Sequence, residues 1–309
     1  MSNSRRQFLQ KSMVGGLACS ASPSLLHSAK PASHDIRLAV STYSYWHFRT
    51  AKFPIEQVID EAAELGLSGV DILHRQMESE DIRYMNKLKK HAFTRGVDLI
   101  SLSIHQDFVS PDKKEREVAI EHTKHCIELA YQMGIPSIRL NSGRWGTVPS
   151  FDELMAKRGV EDPIEGYTND DAFEWCINSI QECLPKAEER GVILALENHW
   201  GLTSTPEGLL RIRKAIDSEW MGILLDTGNF LENPYDKLEM VAPYADFIQA
   251  KTYYGGGEWY TLDLDYDRIF KILREAGYKG YVSIEFEGKE EAKSGMRKSV
   301  EMLQKAINA

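Results

Sequence analysis

Cysteine is scarce, with four in 309 residues, and no two of them stand at zinc-finger spacing. Setting aside Cys19 in the N-terminal leader leaves Cys126, Cys176 and Cys183, an odd set. The last two lie two turns apart on a helical pattern, roughly 10 Å along its axis and beyond disulfide reach. A disulfide framework is therefore excluded, and the three thiols read as small core hydrophobes. Long apolar runs are also missing, since none approaches the ~18–20 residues of a membrane span. Basic charge is in deficit, 37 Lys and Arg against 46 Asp and Glu, a net charge of −9. So acidic a surface repels phosphate backbones and anionic lipid, which argues against nucleic acid or a membrane surface as partner. What is present is core material: a hydrophobic share of 42% excludes a disordered or low-complexity chain.

The first 29 residues carry Arg5, Arg6 and Lys11 and no acid. Ser4-Arg5-Arg6-Gln7-Phe8-Leu9-Gln10 leads into a mildly apolar stretch from Ser12 to Leu26, then into small and polar residues around Ser28-Ala29-Lys30. This order resembles a twin-arginine secretion signal, with Gln10 where Lys is usual. The resemblance implies a signal over 1–29, export to the periplasm or beyond, and one mature domain over 30–309.

From residue 36 onward, short β-branched and aliphatic runs alternate with longer amphipathic segments. The strand candidates are Ile36–Thr42, Gly69–Leu73, Leu99–Ile104, Ser137–Asn141, Val192–Glu197, Gly222–Asp226, Phe247–Lys251 and Tyr281–Glu285. Helical patterns lie between them, at Ile55–Leu65, Asp81–Thr94, Lys114–Met133, Asp171–Glu189, Pro206–Ala215, Leu238–Ala242 and Tyr266–Ala276, and a last one runs from Gly295 to Ile307. Eight such units without a Pro/Ser-rich linker fit a single α/β domain, a closed (βα)8 TIM barrel. A doubly wound open sheet competes with it. That fold calls for a Gly-rich phosphate turn after the first strand, and Ser41-Thr42-Tyr43-Ser44-Tyr45-Trp46 stands there instead. One connection is unusually long, from Ser142 to about Thr168, with a small helix near Asp152–Lys157. A stretch of that length is either a lid over the barrel mouth or a loose insertion.

In a barrel, residues that finish a strand point into the mouth, where enzyme sites of this fold lie. The last four strands end Leu196-Glu197-Asn198-His199-Trp200, Leu225-Asp226-Thr227-Gly228-Asn229, Ile248-Gln249-Ala250-Lys251 and Ile284-Glu285-Phe286-Glu287-Gly288. Each finishes an apolar run with an oxygen-bearing side chain. Glu197, Asp226 and Glu285 stand about one and two strand–helix units apart, so barrel closure would bring them to one point. Converging carboxylates call for a cation, and oxygen ligation favours Mn²⁺ or Mg²⁺, with Gln249 as fourth ligand through its amide oxygen. Taken singly, each is equally a helix cap or a surface ion-pair partner; the four together point to a metal.

These motifs, Leu196-Glu197-Asn198-His199, Leu225-Asp226-Thr227-Gly228-Asn229, Gln249-Ala250-Lys251 and Ser283-Ile284-Glu285, resemble the strand ends of the sugar phosphate isomerase/epimerase family, the xylose isomerase-like barrels. The resemblance spans the chain after the signal. It implies a divalent ion, often Mn²⁺, with Mg²⁺, Co²⁺ or Zn²⁺ as alternatives, held by Glu, Asp, His and Glu, and two Glu residues that exchange protons with a ketose. Glu197, Asp226 and Glu285 match. Gln249 stands where the family has His, and Asn229 where many epimerases carry a substrate-contacting His.

A metal on a sugar carbonyl and its neighbouring hydroxyl acidifies the carbon between them by stabilising an enediolate. Glu197 and Glu285 are the candidates to remove and return that proton, and His199 is a further base or an orienting neighbour of Glu197. The substrate-facing set comprises His105, Arg144, Trp145, Trp200, Asn229, Lys251 and Glu287. Trp46, Tyr43, Tyr253 and Tyr254 offer further flat faces, and His74 a further hydroxyl partner or a structural His. With no Gly-rich phosphate cradle and no Arg cluster near the last two strands, a free or glycosidic sugar is expected rather than a phosphorylated one. The expected activity is isomerisation or epimerisation. A lyase that expels the aglycone of 3-keto-glycosides shares the first step, and a non-catalytic sugar-binding protein is the rival from another class. A carbohydrate is the only expected partner, a homo-oligomer being left open.

Overall fold

A computed structural model describes residues 36–309; the signal expected over 1–29 and its boundary lie outside the described residues. Eight parallel strands pair in sequence order and close into a barrel. They are β1 (Arg37–Ser41), β2 (Gly69–Leu73), β3 (Asp98–Ser103), β4 (Ser137–Leu140), β5 (Ile193–Glu197), β6 (Met221–Asp226), β7 (Phe247–Thr252) and β8 (Tyr281–Phe286). Around them run α1 (Ile55–Glu64), α2 (Ile82–Arg95), α3 (Lys113–Met133), α4 (Phe151–Ala156), α5 (Asn169–Arg190), α6 (Pro206–Ala215), α7 (Pro234–Val241), α8 (Tyr266–Glu275) and α9 (Ala292–Ile307). Closure is made by β1 against β8, with Leu38 opposite Val282 and Val40 opposite Ile284. Among the described residues no helix is long and apolar enough to cross a membrane.

The expected elements fall where the alternation puts them, and the differences lie at helix starts. Pro234 opens α7 four residues ahead of the apolar run, because its fixed φ suits the first helical position. Glu291 opens α9 early by accepting from Lys293 N and Ser294 N. Polar caps set several other starts, with Asp81, Asp112, Thr168, Thr205 and Asp265 each accepting a backbone N–H of the first turn.

Strand side chains alternate, and the two faces have different fates. The outward set, among it Val70, Ile72, Leu102, Ile138, Leu196, Leu225, Ile248 and Ile284, joins the helices in one large core. The inward set makes only a small apolar floor of Ala39, Ile100, Ala195, Leu224 and Phe247. One pleat above that floor the barrel interior turns polar, with Asp71, Arg139, Glu197, Asp226, Gln249, Lys251 and Glu285 all buried. The core thus lies between sheet and helices, while the mouth holds charge.

The long connection after β4 is a docked cover. Its Val148, Leu154 and Met155 pack with Trp200, and Gly159, at φ +78°, comes so close that a Cβ there would meet the Trp200 ring at 2.4 Å. Asp152 accepts from Trp259 Nε1 at 2.8 Å, and Arg158 pairs with Glu232 at 2.9 Å. The cover therefore touches the loops that follow β5, β6 and β7.

Candidate active site

The register brings the strand ends together in pairs. Asp226 of β6 stands opposite Gln249 of β7, and Lys251 of β7 opposite Glu285 of β8. In three of the four expected ligands one polar atom is pinned and an oxygen is left over. Glu197 Oε1 accepts from Asn229 Nδ2 at 3.2 Å. Asp226 Oδ1 accepts from Gly228 N at 2.7 Å, and Asn198 clamps the Asp226 backbone through both its amide atoms. Gln249 Nε2 donates to Asp71 Oδ2 at 3.0 Å, which fixes its amide orientation. Glu197 Oε2, Asp226 Oδ2 and Gln249 Oε1 are buried without a hydrogen-bond partner. Such orphaned oxygens are costly unless something positive meets them, so this donor set fits a hard divalent cation.

Two cations of the chain stand beside these oxygens. Lys251, 4% exposed, lies 2.8 Å from Glu287, 3.0 Å from Glu285 and 3.7 Å from Asp226. Arg139 NH1 lies 3.4 Å from Glu197 Oε2 and donates to Asn141 Oδ1. Burial dominates the electrostatics all the same. It pushes Glu197 up to about 7, with Glu285 and Asp71 adding repulsion while Arg139 and Lys251 pull the other way. Burial raises Asp71 to about 7 as well, against hydrogen bonds from Ser103 and Gln249. Asp226 is held well above the usual carboxylate range, and Glu287 is raised, burial leading in both. Lys251 loses to burial but gains more from Asp226, Glu285 and Glu287, so its ammonium persists.

His199 shares this mouth. Burial first, then Arg139, Lys251 and His105, drives its pKa well below 6.5. The imidazole is neutral, as a base must be. Its ring leans on Trp200 at 5.1 Å, and its backbone N–H donates to Thr203.

The remaining expected residues divide. His105 lines a cavity of about 990 Å³ outside strands β2 to β4, and its pKa falls to about 2 through burial and the charge of Arg139. Arg144 and Trp145 line the same cavity and are also tied into the cover. Arg144 NH1 pairs with Glu161 at 2.6 Å, while the Trp145 indole donates to Asn169 and packs on Trp175. Trp200 is buried beneath the cover, and Tyr254 reaches Met302 on α9, so neither is a free platform. Glu287 borders a small recess with Tyr43, His47 and Tyr260.

Asp71 and Arg139 escaped the sequence reading, although each is a lone charge inside an apolar strand, Gly69–Leu73 and Ser137–Leu140. A charge in the middle of a strand otherwise fit for the core was the available signal. Glu161, 2% exposed in its side chain, accepts from Arg144, Gly146 N and Val148 N; nothing in its sequence neighbourhood marks it.

Comparison with known proteins agrees with this architecture. Inosose dehydratase from Clostridium perfringens is 22% identical over 265 residues, covering 75% of this chain and 82% of that one. An inosose dehydratase from Geobacillus kaustophilus is 24% identical over 198 residues, 63% of this chain and 59% of its own. D-psicose 3-epimerase from Clostridium cellulolyticum, solved with D-tagatose, superimposes with a TM-score of 0.70 at 15% identity, over 88% of this chain and 99% of that one. The 3-keto-D-glucoside 4-epimerase of E. coli superimposes with a TM-score of 0.69 at 16% identity, over 87% and 99%. The family profile described as xylose isomerase-like TIM barrel matches residues 59–306, and with the closed eight-stranded barrel already in view, the chain belongs to that family.

Proposed function

We propose that this protein is a metal-dependent sugar isomerase or epimerase that moves a proton on the carbon next to a carbonyl. The observation that carries the reading is the trio of buried oxygens without a hydrogen bond on Glu197, Asp226 and Gln249, in one mouth with the buried Glu285 carboxylate. These four residues would hold the ion, with Mn²⁺ first and Mg²⁺, Co²⁺ or Zn²⁺ as alternatives. When bound, the ion supplies Lewis-acid polarisation of the sugar carbonyl.

The protein's own groups do the rest. Glu197, buried at the end of β5, can take a proton from carbon and return it. Glu285 is the partner for the second transfer. Its ion pair with Lys251 holds it in place, and the ammonium can donate to an oxygen that gains charge as the carbon loses its proton. Arg139 restrains Glu197 from the other side, and the neutral His199 offers a hydrogen bond to a sugar hydroxyl. The cover keeps water from the mouth.

A second reading, elimination of the aglycone from a 3-keto-glycoside, begins with the same proton loss. It is favoured by the cavity of about 990 Å³ on the β2–β4 side of the mouth, lined by His74, His105 and Arg144, room a single sugar ring does not need. Incubating the metal-loaded protein with ketoses and keto-glycosides in D₂O separates the two. Deuterated epimers or isomers support the first and a released aglycone the second, and Glu197→Gln should lower either rate by at least about a hundredfold. Saturable sugar binding with no deuterium uptake at all would leave a binding protein instead. Export by the twin-arginine route belongs to the same proposal and rests on Arg5-Arg6 ahead of Phe8-Leu9. Replacing both arginines with lysine should keep the protein inside cells; unchanged export would overturn it.

A further inference from the structure

A second cluster of ligating groups lies in the wall of the large cavity, apart from the carboxylates. His74 sits in the short turn that follows β2, and His122 and Cys126 sit one helical turn apart on α3, so both project from the same face of that helix. One ligand atom from each of the three lies within 4.8 Å of the others. Cys126 Sγ is 3.9 Å from His74 Nδ1 and 3.7 Å from His122 Nε2. Around a tetrahedral zinc the sulfur and nitrogen ligands would be separated by roughly 3.5 Å, given Zn–S and Zn–N bonds of about 2.3 and 2.0–2.1 Å. The two sulfur–nitrogen distances therefore stand within a few tenths of an ångström of a bound arrangement.

The surroundings orient them for it. Glu80 lies 2.8 Å from His74 Nε2 and 2.7 Å from His125 Nε2. With the proton of His74 on Nε2, donated to Glu80, its Nδ1 lone pair points to the Cys126 side. A carboxylate behind a histidine in this way sets tautomer and ring angle at metal centres. Cys126 is wholly buried, and His74 and His122 line the cavity, which leaves the fourth side of the cluster facing open space. Cys126 packs with the apolar core and is flanked on its other side by two imidazoles.

We infer that His74, His122 and Cys126 form a second metal site, selective for Zn²⁺ through one thiolate and two imidazoles, with its fourth position open to the cavity. Ligand softness separates it from the oxygen set of Glu197, Asp226, Gln249 and Glu285, which suits a harder ion. The inference does not depend on the proposed sugar chemistry. The zinc chemistry requires only loss of the Cys126 proton to solvent as the metal binds.

Co²⁺ loaded onto the full-length protein is the probe, since a cysteine thiolate on Co²⁺ gives an intense charge-transfer band that oxygen ligands do not. The band should appear in wild type and in Glu285→Gln, and be absent in Cys126→Ser. His122→Ala should weaken Co²⁺ binding by about tenfold or more. Zinc content should fall by one equivalent in Cys126→Ser, while Mn²⁺ binding, read by its paramagnetic resonance, stays as in wild type and reports that this variant folds. Wild-type protein without the band, or Cys126→Ser protein that keeps it, would overturn the second site whatever the fate of the first.

Discussion

Asp71 sits at the bottom of the mouth, fully buried, accepting from Ser103 Oγ on both carboxylate oxygens and from Gln249 Nε2 on one, and those contacts do not offset its loss of water. Its pKa rises to about 7, so between about pH 4 and 7 the folded protein keeps a proton that the unfolded chain has released. A raised carboxylate of this kind lowers stability as pH rises through the window. Burial drives His105 and His199 the opposite way, so the whole-protein profile mixes the two signs. Asp71→Asn isolates the carboxylate, because its amide oxygen still accepts from Gln249 while carrying no charge. The metal-free variant should unfold at nearly the wild-type temperature at pH 4, and several degrees above it at pH 8. A gap that stays constant with pH would show that Asp71 is not the titrating group. Asp71 and Arg139 stood in the sequence only as lone charges inside the apolar runs Gly69–Leu73 and Ser137–Leu140, and lying ahead of the strand ends they were passed over as site residues. Glu197, Asp226, Gln249 and Glu285 were legible, since a strand's last inward residue must face the mouth whatever the loops do.

At the scale of the element, the first turn of the cover between β4 and α5 is tied internally by one acid whose side chain is buried, Glu161. Glu161 accepts the Arg144 guanidinium and two backbone N–H groups, so three donors lose their partner if it goes. Glu161→Ala should destabilise the cover by on the order of 1–3 kcal/mol for each donor left buried and unpaired. Limited proteolysis should then cut within 142–168 well before the barrel, and KM should rise more than kcat falls. Equal protease resistance in variant and wild type would mean that Trp200 and Trp259 hold the cover without Glu161. The strands and helices could be read from periodicity, which is local. Docking of the cover could not, because Asp152 meets Trp259 and Arg158 meets Glu232 only through the closed fold.

At the scale of the whole molecule, the proposed ion centre would make folding and ion binding one equilibrium, because its donor oxygens come from β5, β6, β7 and β8 and no fragment holds them together. A ligand that binds only the folded state stabilises it by about 2.7 kcal/mol when present at 100 times its Kd. Adding Mn²⁺ to metal-free protein should therefore raise the unfolding temperature by a few degrees. Glu285→Gln should lose most of that rise, and a wild-type protein indifferent to divalent ions would remove the basis for the oxygen-ligated centre. The Asp71–Gln249 hydrogen bond joins side chains 178 positions apart, from the second strand to the seventh. During synthesis the ribosome releases β2 long before β7 exists, so through most of translation the Asp71 carboxylate waits without its amide. A product ending before β8 would lack both Glu285 and the seam of β8 with β1 and β7, and its polar lumen would stand open to water.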